Sequence, residues 1–147
     1  MSTDMKAHIE DAFLRHDHQL VRELCDHKVI GPDVLNQRSW VGYAPLHMAV
    51  LRGLPDLVRA ILGAGADVDF QTDHGNTALH LAAQTSKPSC AALLLRAGAS
   101  IDLRTESGKL AQDLGLADMI EAARADRAIA KAISQAKDLK RAAGVGL

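Results

Sequence analysis

Seven histidines and two cysteines are the side chains of this chain with the widest chemical scope. His16-Asp17-His18 could suggest a metal site, since imidazole and carboxylate are common ligands. The pair falls at a helix start, where positions i and i+2 diverge, and no matching Cys or carboxylate cluster accompanies it. The spacing therefore predicts a solvated turn. Cys25 and Cys90 lie in apolar helical stretches, LVRELC and SCAALLL, with no adjacent His that the sequence requires. They read as buried thiols in a reducing compartment rather than as a nucleophile or a disulfide framework. Gly63-Ala64-Gly65 resembles part of a phosphate-cradling loop, but it follows a helix instead of a strand. No H-E-x-x-H, G-x-S-x-G or G-x-x-x-x-G-K-[ST] motif occurs. The sequence predicts no enzyme, no cofactor and no metal.

The elements that must position any site are helical. Of 147 residues, 48% are hydrophobic and 3% aromatic; Ala supplies 25 and Leu 20 of the hydrophobic ones. Both are strong helix formers, whereas sandwiches and barrels draw on β-branched and aromatic residues. Charged residues are 24%, an ordinary globular value that argues against wholesale disorder. The net charge is −1, so nucleic acid is not an expected ligand. Charge is nonetheless uneven: residues 1–35 hold seven acids and four bases, and residues 119–147 hold six bases and three acids. MSTDMKAHIEDAF has no apolar signal-peptide core, and no apolar run approaches the ~20 residues that span a bilayer. The expectation is a cytoplasmic chain.

An internal repeat organises the helices. Gly42, Gly75 and Gly108 are 33 residues apart, and Pro45-Leu46-His47-Met48-Ala49 matches Ala78-Leu79-His80-Leu81-Ala82 at the same offset. Pro55 matches Pro88, and Gly65-Ala66-Asp67-Val68-Asp69 matches Gly98-Ala99-Ser100-Ile101-Asp102. Thr77 is placed to cap a helix over 78–84, Pro45 suits a first helical turn, and Pro55 and Pro88 open second helices. This period and motif resemble the ankyrin repeat. The resemblance is strong over residues 38–70 and 71–103. It weakens over 5–37, where Ile9, Ala12 and Phe13 stand in for a first helix, and Leu20, Val21, Leu24 and Cys25 for a second. Residues 104–117 keep the start of a last copy, with Gln112-Asp113 in place of Leu-His. The loop HKVIGPDVLN is four residues longer than its counterparts. The implied fold is an all-α solenoid whose outermost copies are degenerate because caps need a polar face.

Residues 118–147 break the period. Asp118 is placed to cap a long helix reaching about Ala143, with a seam of Ala122, Ala125, Ile129, Ala132, Ala136, Leu139 and Ala143. Two readings stand: a helix folded back to cap the last repeat, or one that docks a partner or pairs with itself. A seam made mostly of Ala is weakly adhesive, which predicts a monomer in isolation.

The resemblance implies a structural role for His47 and His80, and a protein partner held by hairpin tips and the concave helix face. Mapped onto this sequence, the tips are Trp40, Val41 and Tyr43, then Asp73, His74 and Asn76, then Glu106, Ser107 and Lys109. Leu51, Arg52, Gln84 and Thr85 are the inner-helix ends, and Arg38, Gln71 and Arg104 flank the tips. Trp40 and Tyr43 stand out, because exposed aromatics dominate binding hot spots; the alternative is that Trp40 packs over the long loop. Phe13 and Phe70 are expected in the core. The implied function is a non-catalytic adaptor or a stoichiometric inhibitor of the immunity-protein kind. The alternative is a secreted effector, or a binder of anionic surfaces through the basic C-terminal helix.

Overall fold

The computed structural model describes residues 2–38 and 42–144. Among them are helices and turns but no strand. The helices are α1 (Ser2–Leu14), α2 (His18–Asp26), α3 (Pro32–Leu35), α4 (Pro45–Leu51), α5 (Pro55–Gly63), α6 (Ala78–Gln84), α7 (Pro88–Arg96), α8 (Ala111–Leu114) and α9 (Ala117–Ala142). The chain stacks antiparallel helix pairs. One row runs α1, α4, α6, α8, on the side that the resemblance makes concave; a second row runs α2, α5, α7 behind it. This is an all-α repeat solenoid with a long C-terminal helix.

Local chemistry sets the helix limits. Pro45, Pro55 and Pro88 each occupy the first turn, where their missing N–H costs nothing. Thr77 Oγ1 accepts from the His80 N–H at 3.3 Å, so α6 begins where the sequence predicts. The hairpin tips need glycine for two reasons. Gly75 has φ +79°, and a Cβ there would sit 2.8 Å from the Glu106 backbone nitrogen of the next tip. Tips stack that closely only without a side chain.

The core is small and aliphatic. Leu46, Val50, Leu57, Val58 and Ile61 of one pair meet Leu79, Leu94 and the small Ala78, Ala82, Ala83 and Ala91 of the next, all buried. In the first copy Ile9, Ala12, Phe13, Val21 and Cys25 are buried as expected, and Leu24 is half-buried. Leu20 lies on α2, as the second-helix reading has it, but is exposed. Phe70, also expected in the core, is half-buried beneath the Arg38 guanidinium, 5.4 Å from the ring centroid. The four extra loop residues form α3, which buries Val34 and Leu35 against α1.

The start of α9 differs from expectation. Leu116, in a left-handed conformation (φ +53°), precedes the helix. Asp118 lies inside the first turn, where it favours the helix dipole without capping the end. Ile120 is buried, and Arg124 bonds Asp102 at 2.9 Å and Gln112 at 3.1 Å. From residue 128 onward every described residue is exposed. The anticipated seam does not meet the repeats: Ala122, Ala125, Ile129, Ala132, Ala136, Leu139 and Ala143 all face away from them.

Candidate functional site

Four of the groups with chemical scope, His47, His80, Cys25 and Cys90, are buried in structural roles. His47 is fully buried; its Nδ1 accepts from the Ala44 N–H at 2.9 Å, and its Nε2–H donates to the Phe70 carbonyl at 2.7 Å. His80 repeats this with Thr77 N at 3.0 Å and the Lys109 carbonyl at 3.2 Å. Each ring thus ties its own helix start to the segment entering the next copy. Because Nδ1 accepts, the ring is held neutral. Burial lowers the pKa of His47 to about 4, and burial likewise lowers that of His80. In the last copy Asp113 Oδ2 takes the same place, accepting from Leu110 N at 2.9 Å.

Cys25 and Cys90 are buried, and burial raises both thiols, Cys25 to about 11, so neither supplies a thiolate near neutral pH. Asp17 caps α2 by accepting from Leu20 N at 3.2 Å, and His16 Nδ1 meets Arg52 Nη1 at 2.6 Å. Among the described residues no three His, Cys, Asp or Glu gather as a metal site.

The tips form a ladder. Arg38 Nε donates to the Gln71 carbonyl at 3.0 Å, and Gln71 Nε2 donates to Gly75 O at 3.0 Å and Arg104 O at 3.5 Å. Arg104 Nη1 donates to Gly108 O at 2.8 Å, and Glu106 N to His74 O at 2.9 Å. Arg38, Gln71 and Arg104 therefore brace the tips as well as flanking them. Thr72 and Thr105, 33 residues apart, accept from Asn76 N and Lys109 N inside their turns. Sequence reasoning passed over these threonines, although their spacing marks them.

Two grooves open on the concave side. One, of about 430 Å³, is lined by His74, Asn76, Gln84, Thr105, Glu106, Ser107, Lys109 and Leu114. It gathers six of the residues expected at the surface. The other, of about 220 Å³, is lined by Ile9, Phe13, Leu14, Val34, Tyr43, Pro45 and Met48, with Lys6, Glu10 and Gln37 among its polar lining. Of the expected residues that are described, only Tyr43 lines it. The four-residue insertion hides the rest: allowing for it, Leu14 takes the place of Leu51 and Gln84. Glu10 Oε1 lines this groove buried and without a hydrogen-bond partner among the described residues. Asp73 pairs with Arg38 at 3.5 Å. Leu51 and Arg52 are half-buried, and the Thr85 hydroxyl donates to the Leu81 carbonyl at 2.7 Å. Trp40 and Val41 lie outside the described residues.

A family model described as ankyrin repeats in three copies matches residues 10–105. The chain belongs to the ankyrin repeat family. Ankyrin repeats generally mediate protein–protein interaction and generally form a non-catalytic module. A similar protein is the "Putative palmitoyltransferase ZDHHC13" of Danio rerio, 46% identical over 54 residues, which are 37% of this chain and 8% of that protein. This ankyrin chain thus spans a small part of that relative, and the activity in the name is said of that relative. Among the described residues no helix is long and apolar enough to cross a membrane.

Proposed function

We propose that this ankyrin protein works by occupying a surface of a protein partner, as an adaptor or a stoichiometric inhibitor in the cytoplasm. The apolar groove carries the reading. Leu14 is 63% exposed beside it, and Tyr43 and Met48 are half-buried along it. Such a groove suits one or two large apolar side chains of a partner, and the orphaned Glu10 oxygen would take a donor from the same segment. The neighbouring polar groove supplies hydrogen-bonding groups for orientation. Trp40 adjoins Tyr43 in sequence and belongs to the same proposed surface, together with Val41.

The test is capture of partners from the native source by the parent chain and by a Trp40→Ala, Tyr43→Ala variant. Loss of the captured partner from the variant, at unchanged helicity, supports the reading; equal recovery sinks it. The basic end of α9 favours a second reading, binding to an anionic surface, because Lys131, Lys137, Lys140 and Arg141 are all exposed. Vesicle binding lost with added salt and with removal of residues 128–147 would select that reading.

A further inference from the structure

Up to Arg127, helix α9 meets the repeats with one face and leaves the opposite face bare; from residue 128 onward all its faces are exposed. Ile120 is buried, Ala123, Arg124 and Arg127 are half-buried, and Arg127 Nη2 donates to the Leu95 carbonyl at 3.0 Å. Around the other side, at steps of three and four residues, run Ala122, Ala125, Ile129, Ile133 and Ala136, with Leu139 at the edge. Ile129 is 59% exposed, Ile133 52% and Leu139 72%. A helix of 26 residues is roughly 39 Å long, so this is an extended apolar strip in water.

Charge along the strip says what covers it. Asp126 borders the N-terminal half, and Lys137 borders the C-terminal half on the same flank, since eleven residues make about three turns. Lys140 lies on the strip itself, one turn beyond Ala136. None of Asp126, Lys137 and Lys140 has an ion-pair partner among the described residues.

We propose that α9 pairs antiparallel with α9 of a second copy of this chain, about a two-fold axis near position 131. That register sets Ile129 of each copy beside Ile133 of the other, and Asp126 of each beside Lys137 of the other. It also lays Lys140 and Leu139 over the small Ala122 and Ala125. A parallel pair would put the two Asp126 on opposite flanks and leave Asp126 and Lys137 about three turns apart along the axis, so it forms no such ion pairs. A two-fold pair closes on itself, so the product is a dimer and not a filament. The alanines keep it weak, so the chain is monomeric when dilute. The pairing uses no concave-face residue, so it is independent of the proposed partner surface and would double it. Two concave faces on one particle would raise avidity for a partner that is itself multivalent.

Sedimentation velocity of the full chain, from about 1 to about 500 µM, tests this. The expected result is a monomer–dimer equilibrium that Ile129→Asp with Ile133→Asp abolishes. Asp126→Lys alone and Lys137→Asp alone should each weaken the dimer about tenfold, and the double exchange D126K/K137D should restore it. All these side chains are exposed, and circular dichroism would confirm retained helix. A monomer at every concentration, a dimer indifferent to the isoleucine changes, or single exchanges without effect would overturn the proposal.

Discussion

The two grooves of the concave face share one scaffold and present opposite chemistry. Both lie between inner helices and stacked tips, and both are braced by a buried His at the same place in the period. The N-terminal groove is apolar because its copy carries Tyr43 and Met48 and because α1 adds Phe13 and Leu14. The C-terminal groove is polar because the same kinds of position hold Asn76, Gln84 and Lys109. The repeat separates the residues that hold the fold from those that meet a partner. The first kind recurs every 33 residues; the second changes from copy to copy.

If that separation is right, the largest effects on stability come from the shared positions. His47→Ala and His80→Ala should each destabilise by about 3 kcal/mol, since each leaves a buried N–H and a carbonyl unpaired in addition to a cavity. Urea unfolding would check it, and a loss below about 1 kcal/mol for both would break the distinction. Acid probes the same residues. His47 titrates near 4 when folded and near 6.5 when unfolded, so between these values the unfolded chain binds more protons. Its contribution is complete above about pH 6.5 and is lost as pH falls toward 4, by about 3 kcal/mol in all. His80 shifts in the same direction and adds to the slope. In His47→Ala that part of the pH dependence should vanish.

The differing positions should behave the other way. Tyr43→Ala and Met48→Ala should weaken partner binding by about 2 kcal/mol each, at a stability cost under about 1 kcal/mol. Asn76→Ala and Gln84→Ala should weaken it by less than about 1 kcal/mol, since polar, solvent-open contacts contribute little. Calorimetric titration with the identified partner measures both. The reverse order would move the main contact to the polar groove.

How much of this could be read from the chain follows the same division. The Gly42–Gly75–Gly108 spacing, the paired prolines and the two Leu-His pairs carry the architecture, because each marks a backbone constraint that acts locally. The apolar groove could not be read so. It depends on α3 and on the register of α1, and both turn on a four-residue insertion whose fold is decided by packing Val34 and Leu35. The α9 seam was legible as a pattern but not in its direction. Amphipathicity marks a face that avoids water without saying whether the repeats or another molecule cover it. Here the long Arg124 and Arg127 side chains anchor the opposite face.

The smallest predicted effect concerns what the degenerate first copy gave up. Lys28 has φ +55° at the end of α2, the place that Gly65 (φ +100°) and Gly98 (φ +88°) occupy after α5 and α7. A side chain in that left-handed conformation costs roughly 1 kcal/mol relative to glycine. Lys28→Gly should therefore stabilise the chain by about 0.5–1 kcal/mol, reduced by the greater freedom of glycine when unfolded. Lys28 is exposed and lines neither concave groove, so partner binding should not change. A rise in the urea midpoint at constant slope would support the equivalence of the three helix ends. A fall would mean that α2 ends differently from α5 and α7, and that the first copy is a cap with its own geometry.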